Sequence, residues 1–415
     1  MKQTKVKLWT WDFSCITLAS ALSVIGGEAM NIPISLMVFD QTGSTLASAL
    51  ILICGMLPDV ILPIFVAPLI DRKSKKKWIV TLDILLAVVY AAMGWWISGH
   101  AFSLGMYLAF TLVVATISVF YHLAYSSWYP DLIPNGAEQQ GYAVSGTMYP
   151  LITMVMAPVA ALLYEKVPIH LIFYAVAGLV LASIAIEGSI RKGGSRTKDS
   201  YTFSQYKQDL GEGFRYLKRE KGVRNICCYV AVTNGASNGV GILAQAYFQT
   251  ASFLSVTMFG LLSSAEMIGR TIGGMIQYKV QIPEKKRFAF TKFVYTTYNL
   301  LDAFLLMLPY PAMLVDRFVC GVLGVSSATI RAAAMNCYLA PDIRARVNAL
   351  CNVAFAVVGI LCQLSVGLLG QVMDYRLAVL LISAVGMAAM FFFIVLPGKV
   401  NRPVYEAVRT ADSQA

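Results

Sequence analysis

The sequence predicts an all-α membrane protein with twelve transmembrane helices in two six-helix halves. Of its 415 residues, 58% are apolar and 13% are charged, and the mean hydropathy is +0.66. Apolar runs of about 20 residues recur along the chain, which is the length a helix needs to cross a hydrocarbon core of about 30 Å. One long polar segment separates these runs into two sets of six.

Twelve spans follow from the apolar runs and the polar punctuation between them. The first six cover residues 11–39, 46–70, 78–98, 102–125, 142–164 and 169–190. The other six cover residues 226–248, 255–278, 288–308, 312–337, 347–372 and 377–396. The halves are therefore predicted at 1–190 and 225–397, with a linker at 191–224 and a tail at 398–415. Within the linker, 206–221 predicts a basic amphipathic helix on the inner leaflet, whereas 191–200 is typical of a flexible tether.

Lysine and arginine are distributed unevenly over the two ends of the spans. With a cytoplasmic N-terminus, one side receives the first lysines, the basic residues at 72–77, the linker, the basic residues at 279–287, Arg344 and Arg346, and the tail. The other side receives only Lys166 and Arg376. Because short cytoplasmic loops retain positive charge, we expect both termini in the cytoplasm and the protein in a bacterial inner or plasma membrane.

Composition and spacing argue against several functions. The net charge of +11 is dispersed in short clusters between apolar runs, so no nucleic-acid partner is expected. The three histidines have no ligand-like spacing, and the eight cysteines, which form no CxxC pair, are interpreted as small core residues, so no metal is expected. No phosphate-binding GxxxxGK[ST] loop and no nucleophile–base constellation is present. We expect neither an enzyme nor a cofactor.

A basic loop joins the second and third spans. It reads FVAPLIDRKSKKK at 65–77, a helix end of small residues followed by Asp71, Arg72 and four lysines. A carboxylate at a helix end can accept hydrogen bonds from a neighbouring helix N-terminus, and the basic residues suit anionic lipid. The alternative is a topology signal alone.

This loop resembles the signature loop of the major facilitator superfamily, which helps to latch the two halves on the cytoplasmic side. Ala67 and Pro68 stand where that family usually has glycine. The stretches FDQTGS (39–44), LP (57–58), PDLIP (130–134) and GEGFRYL (211–217) resemble the drug-exporter branch that includes macrolide-efflux proteins and the enterobactin exporter. The resemblance implies a transporter of small molecules that acts as a monomer, with substrate held between the halves.

The fifth span carries the sequence APVAA at 157–161. It is similar to a degenerate form of the helix-bend motif of antiporters in that family, with Ala157 and Pro158 at the bend. Proline removes a backbone hydrogen bond from a membrane helix, and small neighbours let another helix approach. A structural kink without an antiport role is the alternative.

Ionisable groups within spans are functional candidates, because each costs about 2.5–3.5 kcal/mol at the centre of the membrane. Glu28 lies near the middle of the first span and Asp59 near the middle of the second. If both face a cavity, they can share a proton or bind a cation. They are the first candidates for coupling, with a protonated, hydrogen-bonded structural role as the alternative. Tyr149, beside Pro150, is a candidate for stacking a hydrophobic substrate.

The second half offers further candidates. Glu266 and Arg270 are four residues apart, so they can pair on one helix face, as a structural ion pair or as a substrate site. The residues interpreted as an outer gate or as interhelix pairs are Asp302, Asp316 and Arg317. The cytoplasmic-gate candidates besides Asp71 and Arg72 are Arg331, Arg344 and Arg346. We expect Asp83, Glu187 and Lys292 to snorkel to the inner interface, without a function.

The sequence thus favours a proton-coupled exporter of amphipathic compounds that works by alternating access. Membrane lipid, protons and a small-molecule substrate are the expected partners. The first alternative is a transporter of one defined metabolite, such as a siderophore, a lipid or a nutrient, in either direction. The second alternative is a membrane receptor or enzyme that transports nothing, but the short outer loops leave little room for a ligand-binding domain.

Overall fold

The computed structural model describes residues 8–63, 74–134, 137–192, 203–279 and 282–407. These residues form fourteen α-helices and no strand, which confirms the all-α fold class. In the first part of the chain they are α1 (Trp11–Thr42), α2 (Thr45–Ile61), α3 (Lys75–Gly99), α4 (Leu104–Leu132), α5 (Glu138–Lys166), α6 (Ile169–Gly188) and α7 (Phe203–Arg219). In the second part they are α8 (Lys221–Thr250), α9 (Val256–Lys279), α10 (Glu284–Phe304), α11 (Tyr310–Tyr338), α12 (Pro341–Val372), α13 (Tyr375–Met390) and α14 (Gly398–Tyr405). A 3₁₀ turn, Leu305–Met307, follows α10, and a π-helical turn, Phe391–Val395, follows α13.

Nine helices in the described part of the chain are long and apolar enough to cross a membrane, and α2 is a shorter apolar helix. Helices α9 and α10 fall at predicted spans but do not meet that standard. Helix α9 contains Glu266 and Arg270, and α10 begins with EKKR. The protein is thus a multi-pass membrane protein, while the count of twelve spans stays a prediction.

The end of α1 explains the FDQTGS stretch. Gly43 has a φ of 61°, a left-handed conformation that costs glycine little, and its N–H donates to the carbonyl of Phe39. The helix therefore stops at Thr42, and α2 starts two residues after Gly43.

The described chain divides into two compact units. The first consists of the described residues within Met1–Gly43 and Leu50–Phe203, and the second of those within Ser44–Ala49 and Ser204–Ala415. In the first unit α3 packs along α6, and α1 packs on both α5 and α6. Gly94 of α3 brings its backbone close to α6, because a Cβ there would lie 3.1 Å from the Cβ of Phe173 and 3.3 Å from the carbonyl of His170.

In the second unit the closest helix crossing joins α9 and α11. A Cβ on Gly321 would lie within 2.9 Å of the backbone nitrogen of Arg270 and would collide with the carbonyl of Glu266. A Cβ on Gly269 would collide with the carbonyl of Phe318 in the same way. Small residues at a crossing let two membrane helices approach to backbone contact, and here they do so from both sides.

Helix α8 packs on α12 and α13, and one covalent bond joins α8 to α12. The sulfurs of Cys227 and Cys351 form a disulfide within an apolar cluster that includes Ile226, Tyr229 and Val347. The interpretation of all eight cysteines as unbonded core residues is wrong for these two. They are 124 residues apart in the chain, so spacing gave no sign of the pairing.

Helix α7, in the linker, is attached to the second unit by polar contacts. Glu212 forms an ion pair with Arg346 at the start of α12. The hydroxyl of Tyr338, at the end of α11, donates to Glu220 Oε2 over 2.8 Å. Burial, followed by the hydrogen bond and the negative charge of Glu220, raises the pKa of Tyr338 to about 12. Tyr338 therefore remains a protonated donor at neutral pH.

Candidate functional site

A polar group inside the first unit joins α1 to α5. The hydroxyl of Thr153 donates to Glu28 Oε1 over 3.2 Å, and the side chain of Tyr149 is within hydrogen-bonding reach of both residues. Tyr149 and Thr153 share a face of α5 because they are four residues apart. The space beside Gly27 is open, since no atom of another described element lies within 4 Å of where its Cβ would be.

This group leaves an aromatic face accessible beside a carboxylate. The Tyr149 residue is 52% exposed, and Glu28 is partly buried. The structure therefore brings together two of the residues singled out in the sequence. A carboxylate with hydroxyl donors and an aromatic ring beside it can hold a proton or a cationic group, and the ring can stack an apolar ligand.

Asp59 lies elsewhere in the first unit. It is exposed, two residues before the end of α2, and its electrostatic partner is His122 of α4, whereas the described partners of Glu28 are on α5. A proton shared between Glu28 and Asp59 stays a prediction.

In the second unit, Glu266 and Arg270 form the one-turn ion pair that their spacing allows. The distance from Arg270 Nη2 to Glu266 Oε1 is 2.8 Å, and both side chains are partly exposed. Because the pair is only partly buried, the carboxylate stays accessible to another partner.

A buried cluster of charges joins α10 to α11. Arg317 Nη2 donates to Asp302 Oδ1 over 2.6 Å and to Asp316 Oδ2 over 2.9 Å. All three residues are less than 8% exposed. One guanidinium thus serves two carboxylates, and Asp316 Oδ1 has no hydrogen-bond partner in the described part of the chain. The gating role predicted for these residues is untested, but their mutual contact is part of the fold.

Arg331 lies beside tyrosine side chains in the second unit. Its Nη1 donates to the hydroxyl of Tyr295 over 3.4 Å, and that hydroxyl is 3.1 Å from the hydroxyl of Tyr405 in α14. Beside it, helices α8, α11 and α12 enclose a cavity of about 300 Å³ whose lining includes Asn348 and Asn352. Its lining combines the Arg331 guanidinium and these two amides with mostly apolar side chains, so its polar part can hold a small polar group or water.

The remaining gate candidates have local partners. Arg344 donates to the carbonyl of Leu339 over 3.1 Å, and Arg346 is paired with Glu212 of the linker helix. The loop residues Asp71 and Arg72 lie outside the described residues. Whether any of these residues forms a gate stays a prediction.

The helix-bend candidates lie in a continuous helix. α5 runs from Glu138 to Lys166 through both Pro150 and Pro158. Ala157, Ala160 and Ala161 are at most 2% exposed. This buried alanine face fits the close helix approach expected there, and the bend itself stays a prediction.

Sequence reasoning missed a pair of buried acids. The expectation that Asp83 and Glu187 snorkel to the interface is wrong, because Asp83 is 2% exposed and Glu187 is 0% exposed. A signal was present in the helix periodicity. Asp83 continues the buried stripe of Ile79 and Ala87, and Glu187 continues the stripe of Ser183, all at four-residue spacing. Lys292 lies over the Phe288 ring, 5.0 Å from its centroid.

Apolar helices with hydrogen-bonded ionisable groups inside the spans define a class, the multi-pass helical membrane proteins, in which such groups mark candidate functional sites. The sequence profile of the Major Facilitator Superfamily matches residues 16–298, and the chain belongs to that superfamily. It is therefore a transporter, not an enzyme.

Known proteins resemble the chain in sequence and in fold. Macrolide efflux protein A of Streptococcus pyogenes is 24% identical over 283 residues, which cover 66% of this chain and 67% of that protein. The crystal structure of a nucleoside transporter has a TM-score of 0.71 at 11% identity and covers 92% of this chain and 99% of its own. That of a D-xylose–proton symporter has a TM-score of 0.66 at 12% identity, with coverages of 93% and 98%. A bacterial homologue of the human lysosomal transporter Spinster, in an inward-facing and unoccupied conformation, has a TM-score of 0.66 at 14% identity, with coverages of 97% and 98%. At these identities the structures support the fold alone.

Proposed function

We propose that this superfamily member is a proton-coupled exporter of amphipathic compounds, including drugs, that works by alternating access. The observation that carries the proposal is the group formed by Glu28, Thr153 and Tyr149. Glu28 is hydrogen-bonded but only partly buried, and an exposed aromatic ring lies beside it. The similarity to a macrolide efflux protein supports export.

The chemistry of this group suits exchange of substrate for a proton. A single carboxylate can neutralise either a bound proton or the positive charge of an amphipathic cation, but not both together. Binding of one therefore favours release of the other, which is the requirement for antiport. The ring of Tyr149 supplies the apolar contact that such a substrate needs. Asp59 with His122 is a second candidate site for the proton.

The alternative is a transporter of one defined metabolite, a siderophore, a lipid or a nutrient. It is supported by the fold likeness to a nucleoside transporter and to a D-xylose–proton symporter. We further propose that the protein works as a monomer in a bacterial cell membrane, with its termini in the cytoplasm.

Purified protein in liposomes tests the proposal. We expect an imposed pH gradient to drive flux of a lipophilic cation or a macrolide, and Glu28→Gln to abolish the gradient dependence. We also expect this variant to bind a cationic probe at least about tenfold more weakly, because a charge-assisted contact contributes about 1.5–3 kcal/mol. Two further variants divide the roles within this proposal. Tyr149→Phe keeps the aromatic ring and removes its hydroxyl, and Asp59→Asn removes the second candidate site for the proton.

Glu284→Gln is the matched control, because it neutralises an exposed carboxylate at the start of α10. Flux that ignores both the gradient and Glu28→Gln would contradict proton coupling. Gradient-driven flux of a siderophore, a nucleoside or a sugar, without flux of amphipathic cations, would replace the proposal with the metabolite alternative.

A further inference from the structure

The first unit holds two carboxyl groups against each other in its interior. Asp83 of α3 and Glu187 of α6 are within hydrogen-bonding reach of each other, and both are at least 98% buried. Helices α3 and α6 pack along each other, with close backbone approach at Gly94, so the two side chains are held by a rigid contact.

Each carboxyl group has an oxygen without a partner. Glu187 Oε1 accepts the hydroxyl of Tyr121 over 3.0 Å, but Glu187 Oε2 and Asp83 Oδ2 are buried and lack a hydrogen-bond partner in the described part of the chain. Buried polar atoms are nearly always paired with a hydrogen-bonding partner. The two unpaired oxygens therefore indicate a partner that the positions of the non-hydrogen atoms do not reveal.

No cation among the described residues neutralises the pair. Lys76, at the start of α3, donates to the carbonyls of Gly188 and Ile190 over 2.8 and 2.6 Å, and thus neutralises the end of α6. Lys75 is a buried cation eight residues before Asp83 on the same face of α3, but the described interactions of the two acids are with each other and with Tyr121. Other charged groups near this end of the unit include Asp12, Arg191 and Lys192. Asp12 accepts the N–H of Arg191, and Lys192 donates to the carbonyl of Asp131.

Two adjacent buried carboxylates without a cation repel each other and lose their hydration. One proton removes both penalties, because the protonated carboxyl donates to its neighbour and the pair then carries a single negative charge. The Tyr121 hydroxyl donates to Glu187 and so stabilises the share of that charge that Glu187 carries.

The hydroxyl row beside the pair consists of groups from α1, α4 and α5, in which Tyr121 and Tyr125 are joined by ring stacking. Tyr121 is within hydrogen-bonding reach of Ser23 in α1, and Tyr125, stacked on Tyr121 at 6.2 Å between centroids, reaches Ser20 and Ser145. Since α1 and α5 also carry Glu28 and its partners, protonation of the buried acids can influence the helices of the candidate site.

We propose that Asp83 and Glu187 form a proton-binding site that takes up and releases one proton during the transport cycle. Its binding step stands on the geometry of the first unit, and its release step rests on the proposed proton-coupled function. Tyr121 is a positioning residue in this scheme, because it orients Glu187 and leads to the hydroxyl row.

Infrared spectroscopy of the full chain in lipid nanodiscs tests the binding step. At neutral pH we expect a carbonyl band from a buried protonated carboxyl, and we expect Asp83→Asn or Glu187→Gln to remove or shift it. Asn and Gln imitate the protonated acids in shape and neutrality, so folding should survive. Glu284→Gln should leave the band unchanged. A band unaffected by both buried variants, or no such band, would overturn the site.

Liposome transport tests the release step. We expect Glu187→Gln to lose flux driven by a pH gradient while it retains substrate counterflow, which requires no net proton movement. Tyr121→Phe should slow the gradient-driven flux and keep the infrared band. Gradient-driven flux of Glu187→Gln at the wild-type rate would overturn the release step even if the band is present. If wild type transports no probe, the proposed function fails, and the infrared result still decides whether the proton is bound.

Discussion

Arg317 supplies the positive charge in the buried cluster of the second unit. It is buried and donates to Asp302 and Asp316, so replacement by methionine leaves two carboxylates without a cation. We expect Arg317→Met to lower the free energy of unfolding by about 3–5 kcal/mol, the usual penalty for breaking a buried ion pair. The midpoint of thermal aggregation in detergent, followed by fluorescence-detected size exclusion, measures the loss.

Asp302→Asn is the matched control, because it leaves Arg317 and Asp316 as a neutral pair. We expect it to be milder than Arg317→Met. Combined with Arg317→Met, it should recover part of the lost stability, since one buried charge fewer is unpaired. A double variant that is less stable than Arg317→Met alone would show that the cluster does not work through charge balance.

At the residue scale, the sequence identified individual groups better than their partners. Because an ionisable group within a span costs free energy, Glu28 and Arg317 were identified as functional candidates. Glu28 and Thr153 form a hydrogen bond although they are 125 positions apart, so no rule based on sequence spacing predicts their contact. The burial of the two acids was not predicted, because the prediction considered how far each acid lies from the end of its span and not on which face of the helix it lies. Asp83 is only nine residues into α3, yet it lies on the buried stripe.

Among the helices, the crossing of α9 and α11 depends on glycine. At Gly321 a Cβ collides with the backbone of Glu266, which cannot rotate away as a side chain can. We expect Gly321→Ala to force the helices apart and to destabilise the protein by about 1–3 kcal/mol, as overpacking does. The same thermal assay measures it.

Gly274 provides the control on the same helix pair. It lies in α9, but among the described residues no atom outside its own helix backbone is within 4 Å of where its Cβ would be. Gly274→Ala should therefore stabilise the helix by up to about 1 kcal/mol, because alanine is the better helix former. Equal effects of the two substitutions would show that glycine acts at this crossing through helix propensity and not through packing.

At the element scale, hydropathy predicted helices that carry long uninterrupted apolar faces, such as α6 and α13. It placed the ends less well, since α1 ends at Thr42 only because Gly43 adopts a left-handed turn. Helices α9 and α10 lie at predicted spans although their composition is less apolar. Some of their polar residues are paired with neighbours, as Asp302 is with Arg317, and a hydropathy average does not include such pairing.

For the whole molecule, the basic clusters group at corresponding helix ends within each unit. Lys76 at the start of α3 contacts the carbonyls that close α6, next to the linker. Arg287 at the start of α10 is 3.5 Å from the carbonyl of Ala407 in the tail, and Arg346 at the start of α12 pairs with the linker helix. The loops at the other ends contribute Lys166 and Arg376.

This asymmetry predicts the orientation in the membrane. Because cytoplasmic loops retain lysine and arginine, the starts of α3, α10 and α12 and both termini should face the cytoplasm. We expect a fluorescent-protein fusion after the tail to fluoresce and an alkaline phosphatase fusion at the same point to be inactive. Phosphatase inserted after His100, between α3 and α4, should be active. The reverse result at both points would invert the orientation.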